Sequence, residues 1–355
     1  MENYVRENAM TELKDSFLKY LEINNKRNNN YFRKKFKRGC AKFFHYNPVF
    51  HNYAGRKIIS REDTNRIIGE MIESSKPFVV SRFGNTELNF VAFYHMRHKF
   101  GFSDDYPVFN SIESKMDFYQ NAERQFSDAL ENGGGFFPVT DEASKKFVDS
   151  MMDVMQDIDV LGTWEIYMEE YYIENFMKKC ILSNLYYLEP WFSKNPWSAK
   201  LKGKKVLVIH PFEESIIKQY KKKDKLFQNK NILPEFELHT LRAAQTIAGN
   251  RDERFADWFE ALDYMYEEAM KIDFDIAILG CGAYGMPLAV KLKRAGRQAV
   301  HLGGSTQLLF GIKGARWEAY NYPTKAAKLF NDYWIRPSET ERVKGRETVE
   351  GGCYW

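Results

Sequence analysis

Two groups of residues in this chain have the types and spacing for chemistry on a phosphate. The first lies in FDIAILGCGAYGMPLAVKLKRAGRQAVHLGGSTQLLFGIKGARW, from Phe274 to Trp317. There Gly280, Gly282 and Gly285 make a G-x-G-x-x-G turn around Tyr284, and a glycine pair, Gly303 and Gly304, follows about 20 residues on. Without a Cβ, glycine permits positive φ and lets backbone N–H groups approach a phosphate at the positive end of a helix. The second group is SRFGNTEL, Ser81 to Leu88. Arg82 brings a rigid fork of donors suited to phosphate. After the turn at Gly84, Asn85 and Glu87 present two oxygen donors to Mg²⁺ or Mn²⁺ bridging a diphosphate. The same residues also fit a plain capped helix, with Asn85 as cap, Glu87 in the first turn and Arg82 in a surface ion pair.

Other polar residues cluster by position. His301 and Gln307 flank the second glycine pair and are candidates to read a base, ribose or sugar, while Lys313 and Arg316 add positive charge nearby. Two further acids fall at expected strand ends, Asp141 and Glu165, and either can serve as a catalytic base or simply cap a helix. A nicotinamide enzyme is disfavoured. The acid that reads the ribose hydroxyls belongs about 20 residues beyond the glycine turn, and Val300, His301 and Leu302 stand there instead.

The elements that must position these residues alternate. Phe274–Leu279, a helix to Arg294 and Gln298–Leu302 form a parallel βαβ unit, which brings both glycine turns to one carboxyl edge of a sheet. Upstream, helices are expected over Arg61–Ser75, Asn85–His98, Ser111–Leu130, Glu142–Met155 and Arg251–Lys271. Strands are expected over Pro77–Arg82, Gly133–Val139, Asp159–Gly162, Ile181–Leu185, Lys204–His210 and Pro234–Thr240, with an aromatic helix between the middle pair. Pro190–Pro196 reads as a surface connection, and the polar tail from Pro337 reads as loose until VEGGCYW. This pattern predicts an α/β fold, a Rossmann-like and mostly parallel sheet with helices on both faces. The expected units are a basic helical extension over 1–58, the main domain over 59–336 and a tail over 337–355.

Bulk properties narrow the function. No apolar run reaches 18 residues, so no membrane-spanning helix is expected, and MENYVRENAM lacks the apolar stretch of a secretion signal. Cys40, Cys180, Cys281 and Cys353 are too scattered for a metal or disulfide framework, which suits a reducing cytoplasm. The formal net charge of +4 hides an asymmetry, because Ile23 to Arg61 holds eleven Lys or Arg and no acid. The aromatic residues interleaved there suit peripheral attachment to an anionic membrane on its cytoplasmic face. A solvated basic segment packed on its own domain is the alternative. No nucleic-acid fold signature accompanies the patch.

Taken together, SRFGNTEL, the block GCGAYGMPLA…HLGGSTQLLFGIKGARW and the final VEGGCYW resemble the GT-D-fold glycosyltransferases of bacterial surface polysaccharide and adhesin glycosylation. The resemblance covers about Ile59 to Trp355, with two distant motifs in the right order. It implies transfer of a sugar from a nucleotide donor, commonly a UDP-sugar, with a divalent metal, to a glycan or lipid-linked glycan acceptor. The family's metal motif is an acid, any residue, then a glutamate. Here it falls on Asn85, Thr86 and Glu87, so an amide replaces the first acid and its charge is lost. That substitution leaves open a catalytically weak donor-binding or scaffold subunit of a polysaccharide assembly complex.

Overall fold

The structure is a computed structural model that describes residues 2–29, 52–101, 124–318 and 326–355. The strands are β1 (Asn52–Tyr53), β2 (Arg56–Lys57), β3 (Phe78–Ser81), β4 (Val160–Thr163), β5 (Ile181–Asn184), β6 (Lys205–His210), β7 (Glu237–Arg242), β8 (Ile276–Leu279) and β9 (Gln298–His301). The first two make a small antiparallel hairpin. The other seven form one sheet among the described residues, in the order β5-β4-β3-β9-β8-β6-β7, and every pair in it is parallel.

A parallel sheet must be covered on both faces, so its strands read as unbroken apolar runs; β8, IAIL, is buried at every position. Successive side chains point to opposite faces. Val79, Leu161, Ala277 and Ala299 enter one core, and Val80, Val160, Ile278 and Val300 the other. The register pairs Val80 with both Val160 and Val300, and Val300 with Ile278, so the second set forms a continuous row.

The main helices are α1 (Glu2–Asn29), α2 (Arg61–Glu73), α3 (Asn85–Tyr94), α4 (Asp141–Met155), α5 (Glu169–Phe176), α6 (Glu213–Tyr220), α7 (Trp258–Met270) and α8 (Gly285–Arg294). Residues of α1, α3, α4, α5, α7 and α8 join the first core, and those of α2 and α6 the second. Side-chain caps set three helix starts. Ser60, Thr140 and Asp257 accept the backbone N–H of Asp63, Ala143 and Glu260, each satisfying a donor the helix cannot and contributing about 1 kcal/mol.

Several expected elements differ. The helical spacing of Leu13, Phe17 and Leu21 is expected to break at Asn24 to Asn30, yet α1 runs on to Asn29; Asn24 is buried and its Nδ2 donates to the Tyr20 carbonyl one turn back. Phe17 and Leu21 of α1 are buried, the Phe17 ring lies 4.9 Å from that of Tyr171, and Tyr20 donates to Glu174. Gly133–Val139 is not a strand. A wide helical turn over Leu130–Gly134 closes on Gly135, which has φ +76°. The residues beyond are tied to loops instead, Gly135 through its carbonyl to Thr246 and Phe137 through its carbonyl to the Trp258 N–H. The helix expected from Arg251 begins at Trp258, where Asp257 caps it. Pro190–Pro196 is a packed segment, with Trp191 in the second core and Ser193 also buried. The tail beyond Pro337 is pinned, since Ser338 and Glu341 form a capping box and the buried Glu341 carboxylate accepts from the N–H and hydroxyl of Ser215. The helix expected over Ser111–Leu130 lies largely outside the described residues, as does most of the basic aromatic stretch; residues 124–129 are helical.

Candidate active site

The carboxyl ends of all seven parallel strands open on one cavity of about 370 Å³. Crevices at this edge of open α/β sheets are where ligands bind. SRFGNTEL and the glycine block, about 200 residues apart in sequence, each form a wall of it.

On the β3 wall, Arg82 lies with its guanidinium 5.4 Å from the Trp164 ring. Its Nη1 donates to the Phe83 carbonyl at 2.8 Å, and the Trp164 indole N–H donates to that same carbonyl at 3.2 Å. The Arg82 Nε is buried without a hydrogen-bond partner. A Cβ on Gly303 would lie 3.2 Å from it, so the glycine lets backbone and guanidinium meet. Trp164 is in turn held by a buried acid: Glu169 accepts the N–H groups of Trp164 and Glu165 at 3.3 and 3.0 Å. Burial pushes the Glu169 carboxyl up to about 8, the hydrogen bonds from Tyr53 and the backbone opposing it.

Gly84 has a separate reason to be glycine. A Cβ there would fall 1.7 Å from the Glu87 Oε2, so the Glu87 carboxylate folds back over the start of its own helix. Burial raises its pKa, and the Arg82 charge and a backbone hydrogen bond pull it the other way. Asn85 is exposed on the rim of the same wall.

The glycine wall is close-packed. A Cβ on Gly280 would meet the His210 ring at 2.6 Å and the Gly303 carbonyl at 2.7 Å, and one on Gly285 would meet the His301 Nε2 at 2.2 Å. His301 hydrogen-bonds the Ser81 hydroxyl through Nδ1 at 2.9 Å. His210, which lines the cavity, accepts the Phe212 N–H on Nδ1 at 2.9 Å, which leaves its proton on Nε2. Burial holds both imidazoles down to about 3, with Arg82 adding to the effect at His301. Both are neutral. Tyr284 shares a 2.9 Å hydrogen bond with Thr246 and stacks on Trp258 at 4.8 Å. Gln307 donates to the carbonyls of Ile312, Lys313 and Tyr354, which fixes the last residues of the tail against the block.

The tail completes the cavity. The Tyr354 ring lies against Gly304, where a Cβ would meet its Cε1 at 2.4 Å. The Arg316 guanidinium sits 4.8 Å from the centre of that ring and pairs with Glu350.

Among the expected residues, Arg82, Gly84, Asn85, Glu87, Gly282, Tyr284, His301, Gly303, Gly304, Gln307 and Arg316 line this one cavity. Gly285 sits behind it, against His301. Asp141 is exposed in the first turn of α4 and lines a separate cleft with Tyr94 and Glu131. Glu165 is exposed beside Trp164 and is not among the lining residues, and Lys313 lies over the Phe330 ring instead. Sequence reasoning missed Trp164, Tyr186, His210, Thr246, Glu350 and Tyr354. A histidine closing the apolar run KKVLVIH was a usable signal for His210. Glu350 and Tyr354 lie in VEGGCYW, which the resemblance had marked, but their place in the cavity depends on the path of the tail.

A divalent cation in such a cleft is held by one or two carboxylates plus phosphate oxygens of the substrate. The cavity offers two carboxylates: Glu350 pairs with Arg316, and Glu87 makes no ion pair among the described residues but lies in the field of Arg82. Among the described residues no group of three or more His, Cys, Asp or Glu is placed to hold a metal. With one carboxylate held by an arginine and the other in an arginine's field, this is a poor donor set for a resident cation.

No family model matches the chain, and no curated protein matches it. Two solved structures are similar in outline. One is a domain of unknown function, 1792, described as having a distinct glycosyltransferase fold; it is 11% identical over 67% of this chain and 82% of its own, with a TM-score of 0.34. The other, a selenomethionine-substituted structure of the same domain, is 11% identical over 68% and 82%, with a TM-score of 0.36. The description names the kind of fold that the sequence motifs resemble, and an overlap this loose carries no weight for activity.

Proposed function

We propose that this protein is a glycosyltransferase that takes its sugar from a nucleoside diphosphate donor, a UDP-sugar by the resemblance of its motifs. One observation carries the reading: two motifs distant in sequence close over a single cavity at the carboxyl edge of the sheet, with a guanidinium set against a double-glycine turn. Glycosyl transfer needs a stabilised diphosphate leaving group, an oriented acceptor hydroxyl and, for inversion, a carboxylate base. Arg82 and the turns at Gly282 and Gly303–Gly304 suit the diphosphate. Of the three acids expected as bases, Glu87 is the one that lines the cavity, and burial moves its pKa towards the working range of a base. In an inverting transfer the acceptor oxygen bonds the anomeric carbon, the bond from that carbon to the diphosphate oxygen breaks, and Glu87 takes the hydroxyl proton. A retaining transfer needs no base there.

The acceptor belongs, by the same resemblance, among cell-surface or lipid-linked glycans. No helix among the described residues is long and apolar enough to cross a membrane, and the basic segment around Arg33–Arg38 is the part proposed to meet an anionic cytoplasmic surface. Replacing Arg33, Lys34, Lys35, Lys37 and Arg38 with Gln should abolish sedimentation with phosphatidylserine vesicles; unchanged sedimentation removes that proposal. The main test is release of UDP from a panel of UDP-sugars. Release that vanishes in Glu87→Ala supports the transferase, whereas no release and no UDP binding would sink it.

A further inference from the structure

The two arginines of the cavity flank the same turn. Arg82 meets it at Gly303, and Arg316 meets it through the Tyr354 ring that rests on Gly304. We infer that this pair of guanidiniums, Arg82 and Arg316, holds the diphosphate of the nucleotide in place of a divalent cation. The inference rests on the nucleotide reading of the cavity and adds to it how the charge is met.

Three features support it. Arg82 is tied to its wall by Nη1 alone, and its Nη2 has no partner among the described residues although the side chain lines the cavity. An unsatisfied guanidinium edge beside glycine backbone is a seat for phosphate oxygens, which the planar fork can grip through two parallel bonds. Second, Arg316 is mostly buried, and the partner on its Nη2 besides the Cys353 sulfur is Glu350, whose side chain is 69% exposed. An exposed carboxylate is a weak, screened partner, so a diphosphate entering the cavity can displace it. Third, the cation that would replace these arginines finds only two carboxylates in the cavity lining, Glu87 and Glu350. Glu350 stands beside Arg316, and Glu87 lies in the field of Arg82 without an ion pair among the described residues, so a divalent ion approaching either one meets positive charge. The amide at Asn85, where the related motif carries an acid, agrees with a wall that has given up its cation.

The pair also explains why the double glycine is needed. Any side chain at Gly303 would push Arg82 away, and any at Gly304 would displace Tyr354 and with it the ring beneath Arg316.

Calorimetric titration of UDP into the full chain tests the inference, once in EDTA and once in excess Mn²⁺. The affinity is expected to agree between the two, within about threefold. Arg82→Lys and Arg316→Met, each checked for native circular dichroism, are expected to lose about tenfold or more in EDTA, the worth of a hydrogen bond to a charged group. Glu350→Gln gives an independent arm, because it removes the competitor for Arg316 from an exposed site and should tighten UDP binding. Binding that requires Mn²⁺, or that weakens in Glu350→Gln, overturns the inference and leaves the nucleotide site standing. No binding of UDP under either condition takes down the nucleotide reading, and this inference with it.

Discussion

The two walls of the cavity are built on opposite principles. On the glycine wall nearly every polar group is already spent on structure: His301 on Ser81, Tyr284 on Thr246, and the Gln307 amide on three carbonyls. On the β3 wall Arg82 and Glu87 keep charge in reserve, and Arg82 has donors with no partner among the described residues. The difference separates scaffold from reagent. The glycines, the most conspicuous feature of the sequence, set the distance between strand ends, whereas the groups able to bind or react come from a shorter and plainer motif, from Arg316 at the far end of the glycine block and from the tail.

The sharpest break in this contrast would come at Glu87. Glu87→Gln should lower the transfer rate by about 10²–10³-fold, the range for losing a general base, with donor affinity little changed; a rate within threefold of wild type would move the reactive role to the other wall. Next in size is a loss of folding, not of chemistry. Gly280→Ala must displace both the His210 ring and the Gly303 carbonyl, so denaturant unfolding should show about 3 kcal/mol of lost stability. Unchanged stability would mean the glycine wall is looser than its contacts imply.

Acid should then act on the scaffold. His210 and His301 stay neutral when folded, with values near 3, but in the unfolded chain they take up protons below about 6.5. The unfolded state therefore binds more protons across that window, and stability falls as pH drops from about 6.5 towards 3. By pH 5 each imidazole should cost about 2 kcal/mol. His301→Asn should remove one such share from the difference between unfolding curves at pH 7 and pH 5; an unaltered difference would show that His301 is not buried neutral. The smallest effects are expected outside both walls. Asp141→Asn and Glu165→Gln, exposed and away from the cavity lining, should leave the transfer rate within about twofold, as surface substitutions do. A larger fall in either would reinstate it as a base.

Much of this fold was legible because it is written in period and punctuation. The runs that became β3, β6 and β8 hold unbroken apolar stretches, as central parallel strands must. The expectations that failed were those in which a tertiary contact overrode a local signal. Asn24 reads as a breaker until its amide is seen bonded one turn back. Phe136 and Phe137 read as a strand until Gly135 turns them away from the sheet and into the first core. For the site, both motifs were visible, and so was their shared edge. What could not be read was which acid faces inward, since Glu87, Asp141 and Glu165 all fall near strand or helix starts. Glu87 and Glu165 each have a glycine three residues before them, but a Cβ on Gly84 would meet the Glu87 carboxylate whereas one on Gly162 would meet Leu188. The tail was misjudged because polar composition hides a few decisive anchors, Glu341 and Trp355 among them.

That seven strand ends meet at one opening has a thermodynamic consequence. A molecule bound there touches segments from residue 82 to residue 355 at once, and none of these segments holds that arrangement when the sheet is melted. Ligand binding is thus coupled to the cohesion of the entire chain and not to one loop. At a hundredfold excess over its dissociation constant, a ligand of the folded state adds about 2.7 kcal/mol to unfolding. Heat can therefore identify the donor before any acceptor is known: among a set of sugar nucleotides, the true one should raise the melting temperature of the whole molecule in a single step.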